Sequence, residues 1–202
     1  FEDHEIDILV GTQMVTKGLD FDNVSVVGVL NADNLLNFPD FRAFERSYQL
    51  MAQVSGRAGR KKKRGKVIIQ TSQVSHPIIK NVLQNDYLEM YRSQLLERKE
   101  FMYPPYYKMV RVLLKHKKSD VLADAAAILM QDLKKTFGHR VLGPQDPLVG
   151  RIQNYHLKHV ILKIEKEKSL ARSKEIILQK TSNLKKNAAF KSLQVHFDVD
   201  PL

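Results

Sequence analysis

The pair Pro104-Pro105 constrains this 202-residue chain more than any other feature. Each proline fixes its own φ, lacks the N–H that a helix interior or central strand requires, and pushes the preceding residue out of helical space. No helix or inner strand can run through Tyr103-Pro104-Pro105, so the chain must change element there. Its character changes at the same place. Residues 1–104 carry 14 Lys/Arg against 13 Asp/Glu, whereas residues 105–202 carry 19 against 9. We therefore expect two domains, 1–102 and 103–202, within the core-forming capacity of a chain with 43% apolar residues.

In the first half, Ile6 to Val10 and Val24 to Leu30 are short, β-branched and without alternation, as strands covered on both faces of a parallel sheet are. Phe41, Phe44, Tyr48, Met51, Ala52 and Val54 form an apolar stripe that predicts a helix from Phe41 to about Ser55, with Pro39-Asp40 at its start. A third strand is expected over Val67 to Thr71. Pro77 then opens a helix that a second stretch from about Asp86 to Lys99 extends. Strand, helix, strand, helix indicates an α/β layer.

The second half reads as strand (Met109 to Lys115), helix (Ser119 to Phe137), short strand (Arg140 to Leu142), strand (Lys158 to Glu165), helix (Ser169 to Lys186) and strand (Leu193 to Val199). Val110, Val112 and Leu114 alternate with Arg111, Leu113 and Lys115, and Val160, Leu162 and Ile164 alternate in the same way. This pattern fits a sheet with helices on one face, and the order βαββαβ predicts a ferredoxin-like α+β sandwich.

Composition excludes several classes. With no cysteine there is neither a disulfide framework nor a thiolate zinc site in this chain. No apolar run approaches the roughly 20 residues that span a bilayer, and the first residues are acidic where a signal peptide would be basic. We expect a soluble intracellular protein with no membrane partner. The buried-strand pattern at Ile6 arrives with almost no lead-in, which suggests a piece cut from a longer chain. The net +10 of residues 105–202 points to a polyanion, and nucleic acid leads over a membrane surface. A merely soluble basic domain is the bland alternative.

The strongest motif is Gln53-Val-Ser-Gly56-Arg57-Ala-Gly59-Arg60, a helix running into glycines that would let the backbone turn and present two guanidiniums in one direction. Guanidinium forks match phosphate oxygens and stay charged, as stabilising a transferring phosphoryl group requires. A basic helix end with a glycine cap is the structural alternative. No G-x-x-x-x-G-K-[ST] loop and no D-E-x-[HD] strand end occurs, so these residues cannot form a complete phosphoryl-transfer site alone. The second motif, Gly11-Thr12-Gln13-Met-Val-Thr-Lys17-Gly18-Leu-Asp20-Phe21, begins where the first strand is expected to end, at the edge where open α/β sheets bind ligands. Thr12 and Gln13 can offer polar groups to a nucleic-acid backbone, Gly18 permits close approach, and Asp20 can accept from a ribose hydroxyl.

These two motifs, in this order and about forty residues apart, resemble motifs V and VI of superfamily 2 helicases. Val27-Gly28-Val29-Leu30-Asn31-Ala32-Asp33, Asp40-Phe41-Arg42-Ala43-Phe44-Glu45-Arg46, Gln49-Leu50, Tyr103-Pro104-Pro105 and Asp198-Val199-Asp200-Pro201 look like the PriA (primosomal protein N′) family of replication-restart helicases. Asn31 stands where that family would have an acid, and Leu19 where a histidine is common. The resemblance implies a partial RecA-like second helicase lobe followed by a basic DNA-binding domain of a cytoplasmic bacterial protein. It implies 3′ to 5′ movement on DNA driven by ATP with Mg2+, with zinc held only upstream in the parent. Arg60 would be the arginine finger with Arg57 beside it, Gln53 a nucleotide sensor, and Gly18 and Asp20 would lie at the same cleft. Thr12, Gln13 and Lys17 would lie nearer the DNA. Partners implied are single-stranded and forked DNA, primosome or restart proteins, and single-strand-binding protein. The competing class is a non-catalytic nucleic-acid-binding module whose α/β half is only a scaffold.

Weaker signals remain. Lys61-Lys62-Lys63-Arg64 is either a solvated loop or a DNA contact. Tyr106, Tyr107 and Tyr155, with Arg111, Arg151 and Lys158, could make a stacking surface with an electrostatic groove, or the tyrosines could be core. Pro104-Pro105-Tyr106-Tyr107 matches a short proline-rich peptide ligand, yet a domain linker explains it without a partner. His156 and His159 fall on opposite strand faces, which argues against a metal, and Asp198 and Asp200 read as a strand terminus.

Overall fold

A computed structural model describes residues 5–12, 24–56 and 65–201. The chain divides into two compact units, Phe1–Glu97 and Arg98–Leu202.

In the first unit β1 (Val26–Val29) pairs parallel with β2 (Lys66–Ile69), Val26 opposite Lys66 and Val29 opposite Ile69. A parallel pair needs a crossover, and the helices lie along it and after it: α1 (Asp33–Leu36), α2 (Ala43–Ser55), α3 (Pro77–Gln84) and α4 (Tyr87–Glu100). The stripe on α2 buries Tyr48, Met51 and Val54, and Tyr48 and Met51 pack with Ala32, Leu36, Ile78, Ile79 and Met90 as the unit's core. At the start of α3 the His76 ring Nδ1 accepts the Ile78 N–H at 3.2 Å, and Pro77 fills the first turn, where its missing N–H costs nothing. Asn85 adopts the left-handed conformation (φ 55°) and ends α3. The Asp86 carboxylate then accepts the Glu89 N–H, so α4 starts as a separate helix.

One expectation fails here. Ile6 to Val10 is not a strand, and Ile6, Ile8, Leu9 and Val10 are exposed. An apolar run becomes a strand only where a neighbour takes its N–H and C=O groups. Among the described residues β1 pairs with β2 alone, and residues 6–10 pair with neither strand.

The second unit is built on β3 (Tyr107–His116), β4 (Val141–Gln145), β6 (Tyr155–Glu165) and β7 (Gln194–Val199), in the order β4-β6-β3-β7, with every pairing antiparallel. A two-residue strand β5 (Arg151–Ile152) adds to the end of β6. Helices α5 (Ser119–Phe137) and α6 (Leu170–Lys186) cover one face of this sheet. The alternation assigned from sequence holds: Val110, Val112 and Leu114 of β3 join Val160, Leu162 and Ile164 of β6 beneath Leu122, Ala126, Leu129 and Leu133 of α5. Gly143 bulges β4 at φ 106°, and a Cβ there would stand 2.9 Å from the His159 carbonyl oxygen, so only glycine fits.

The Tyr103-Pro104-Pro105 stretch belongs to this second unit rather than forming a free linker. The Lys163 ammonium, on the face of the sheet away from the helices, donates to the Phe101 carbonyl at 2.6 Å and stands 3.7 Å from the centre of the Tyr103 ring. Burial pushes this amine below the usual lysine range.

Candidate functional site

The helix that carries the strongest motif forms as its periodicity dictates. Gln53 is exposed in the last turn of α2, opposite the buried Met51 and Val54. Gly56 continues that helix in right-handed geometry (φ −68°), its N–H donating to the Ala52 carbonyl at 3.0 Å. A Cβ at Gly56 would meet only ordinary contacts, 3.6 Å or more away, so the tight turn expected of the glycines is not made there. Arg57, Gly59 and Arg60 lie outside the described residues, as do Gln13, Lys17, Gly18, Asp20 and the basic run Lys61, Lys62, Lys63 and Arg64. Thr12, at the edge of what is described, is exposed.

The carboxyl ends of β1 and β2 hold a polar cluster that the sequence did not single out. Asp33, at the start of α1, accepts hydrogen bonds from the hydroxyls of Thr71 and Ser72 and, at 2.9 Å, from the Ser72 N–H. The Ser72 hydroxyl first, then Thr71, holds the Asp33 carboxyl below the usual carboxylate range. Beside it the Gln70 side chain accepts the Asn31 N–H at 3.2 Å, with Asn31 at φ 51°. The turns that follow the two strands are thereby tied across the sheet edge at which α/β folds bind ligands. The only sequence signal was the spacing of Asp33 from Thr71, 38 residues, and no local pattern marks such a pair.

At the helix entry Asp40 accepts the Arg42 N–H and pairs with Arg46 at 2.8 Å, while the Arg42 guanidinium lies 4.3 Å from the Phe41 ring centre. These contacts shape the approach to α2.

In the second unit, of the three cations expected to share one groove, Arg111 is separated from Lys158 and Arg151. Arg111 stands opposite Ile161 and Asp198, on the face away from the helices, and its guanidinium pairs with Asp198 at 2.6 Å. Its Nε is buried without a hydrogen-bond partner. Lys158 stands opposite Leu114, on the helix-covered face, because cross-strand partners share a side, and it pairs with Asp146 at 2.7 Å. Arg151 is opposite His156, again on that second side, but exposed at the sheet's end. His159, near Arg111, is held below the usual histidine range by burial and then by the Arg111 charge. Asp198 is spent on Arg111, and Asp200 accepts the Met109 N–H at 2.9 Å, so both acids fasten β7 to β3.

Residues 99–202 match the family model of the primosomal protein N C-terminal domain. The chain belongs to that family. Residues 1–62 match the helicase conserved C-terminal domain, which makes the first unit part of a helicase lobe. Similar proteins include the replication restart protein PriA of Bacillus subtilis, 38% identical over 100% of this chain and 25% of that protein. Those of Synechocystis (40% identical, 81% of this chain, 20% of that protein) and Borreliella burgdorferi (32% identical, 99% and 29%) are also similar. The chain thus spans about a quarter of the length of the curated relatives it matches.

Within this primosomal protein N C-terminal domain a small group of exposed cations stands at one end of the sheet. Arg151, Lys117 and Lys118 are exposed there, and the Lys117 ammonium stands 5.9 Å from the centre of the Tyr155 ring. Lys117 was missed because it follows the alternating strand and reads as a turn residue. Tyr106 and Tyr107, at the opposite end of β3, are half-buried and do not join Tyr155, so the three tyrosines form no single stacking surface. No helix among the described residues is long and apolar enough to cross a membrane.

Proposed function

We propose that this chain serves an ATP-dependent DNA helicase that moves 3′ to 5′ and acts at stalled or branched replication forks, in primosome assembly and replication restart. The observation that carries this reading is the match to a helicase C-terminal domain and then to the primosomal protein N C-terminal domain within one chain.

In this reading residues 1–102 are part of a RecA-like second lobe, and the parallel pairing of β1 with β2 supports it. Residues 103–202 are a ferredoxin-like DNA-binding domain, supported by the strand order β4-β6-β3-β7 with both helices on one face. Arg60 acts as the arginine finger with Arg57 beside it, and Gln53, Gly18 and Asp20 border the nucleotide. Thr12, Gln13, Lys17 and the run Lys61, Lys62, Lys63 and Arg64 face DNA, as do Arg151 and Lys158 on one side of the second unit's sheet and Arg111, paired with Asp198, on the other.

The chain's own residues do not fit a complete nucleotide or zinc site. Its sequence has no phosphate loop, no D-E-x-[HD] box and no cysteine. ATP with Mg2+, and zinc, would be held by residues of the parent other than these, and this chain alone is expected not to hydrolyse ATP. Single-strand-binding protein and restart proteins are the proposed protein partners, and the bacterial cytoplasm the proposed site of action. The second reading, a non-catalytic nucleic-acid-binding module, draws on the net +10 of residues 105–202.

Fluorescence anisotropy with a labelled single strand, between about 50 and 200 mM salt, tests the DNA-binding part that both readings share. Affinity should fall by orders of magnitude over that range, as counterion release at several phosphates requires. ATP turnover by this chain alone, with or without DNA, would contradict the helicase division of labour.

A further inference from the structure

The hairpin that lays β5 on the end of β6 has a surface that nothing in the fold accounts for. Leu148, Val149 and Ile152 are 78%, 59% and 51% exposed. Arg151, next to Ile152 in the strand and directed to its other side, is exposed and without an ion pair among the described residues. Across the hairpin Ile152 stands opposite Tyr155, whose ring has the Lys117 ammonium 5.9 Å from its centre. The one carboxylate of the loop, Asp146, is already taken by Lys158 at 2.7 Å.

Three neighbouring apolar side chains in water are a cost that a fold this well packed need not carry, so they mark a binding surface. Phosphates alone would call for cations and amides rather than for leucine, valine and isoleucine. A purely apolar partner would leave the flanking cations without partners. Both demands are met by a polyanion that also exposes flat apolar faces, and unpaired nucleic-acid bases are such faces.

We propose that this hairpin is a base-contacting wedge: Leu148, Val149, Ile152 and Tyr155 take the faces of unpaired DNA bases, while Arg151 and Lys117 hold the adjoining phosphates. It rests on the reading of the second unit as a DNA-binding domain and deepens it by assigning the strand's bases, and not only its backbone, to a named element. The wedge favours strands whose bases are free over continuous duplex.

The test uses the whole chain and two probes of equal length and phosphate number, a thymidine oligonucleotide and its fully abasic counterpart. Leu148→Ser, Val149→Ser and Ile152→Ser are combined in one variant, whose melting temperature should match the parent's because all three side chains are exposed. This variant should bind the thymidine strand about tenfold more weakly, with affinity for the abasic strand and the salt slope unchanged. Arg151→Ala with Lys117→Ala should weaken both probes alike and lower the salt slope by about 2. The wedge is overturned if the triple-serine variant binds the thymidine strand as the parent does, or loses equally on both probes. It is likewise overturned if the hairpin binds anionic phospholipid vesicles and neither oligonucleotide. If the parent chain binds neither strand at low salt, the DNA-binding reading itself falls and the wedge with it.

Discussion

The two units bury their sheets to very different depths. In the second, β3 and β6 run for ten and eleven residues, and their inward faces lie under two long helices in a cluster of seventeen described residues. In the first, β1 and β2 have four residues each, the buried cluster has seven described residues, and Val26 and Ile68 remain exposed. Parallel strands are as a rule covered on both faces, and this pair is half covered. Among the described residues the second unit thus has the larger buried core, and from it we expect the higher stability.

Removing core volume should separate them most. Leu129→Ala, in α5 against the four-stranded sheet, should cost about 3–4 kcal/mol, because a rigid, fully packed site cannot collapse around the cavity. In chemical denaturation followed by circular dichroism, this variant should bring the later of two transitions toward the earlier. Met51→Ala, at the centre of the smaller core, should cost about 2–3 kcal/mol and displace only the earlier transition. A single transition that both variants shift equally would mean that the units fold as one.

Acid should act through a smaller effect at His76. Burial lowers this imidazole's pKa below its ordinary value of 6.5, and its ring nitrogen must be unprotonated to accept the Ile78 N–H. The folded form thus favours the neutral ring. Its contribution is present above about pH 6.5 and is lost as pH falls through the lower folded value. His76→Asn, which keeps a capping oxygen, should remove this part of the acid sensitivity, and His76→Ala should cost about 1 kcal/mol at neutral pH. Melting at pH 7.5 and 5.5 reads both effects.

Much of the second unit was legible because its signals are local and agree with one another. Ser119 to Phe137 has an unbroken apolar stripe and Gly138 just beyond it at φ 59°, and both helix bounds were read correctly. The alternation in β3 and β6 assigned the buried face in the same way. What escaped was set by partners distant in sequence. Ile6 to Val10 has the composition of a strand and pairs with no described strand. The β5 strand is two residues long, too short for any period, and exists because β6 overruns β4. The separation of Arg111 from Lys158 follows from the β3–β6 register, which composition does not encode. Gln53 was singled out through its motif, whereas Asp33 was passed over as part of a cluster because its partners Thr71 and Ser72 lie on another strand's turn.

In the proposed function nucleotide chemistry belongs to the first unit and the grip on DNA chiefly to the second. Arg60→Ala in the complete helicase tests that division most directly, with DNA-stimulated ATP turnover and single-strand affinity measured on the same preparation. Turnover should fall by about 10³-fold while DNA affinity stays within about twofold of the parent's. Turnover that survives the substitution, or DNA affinity that falls along with it, would contradict the assignment.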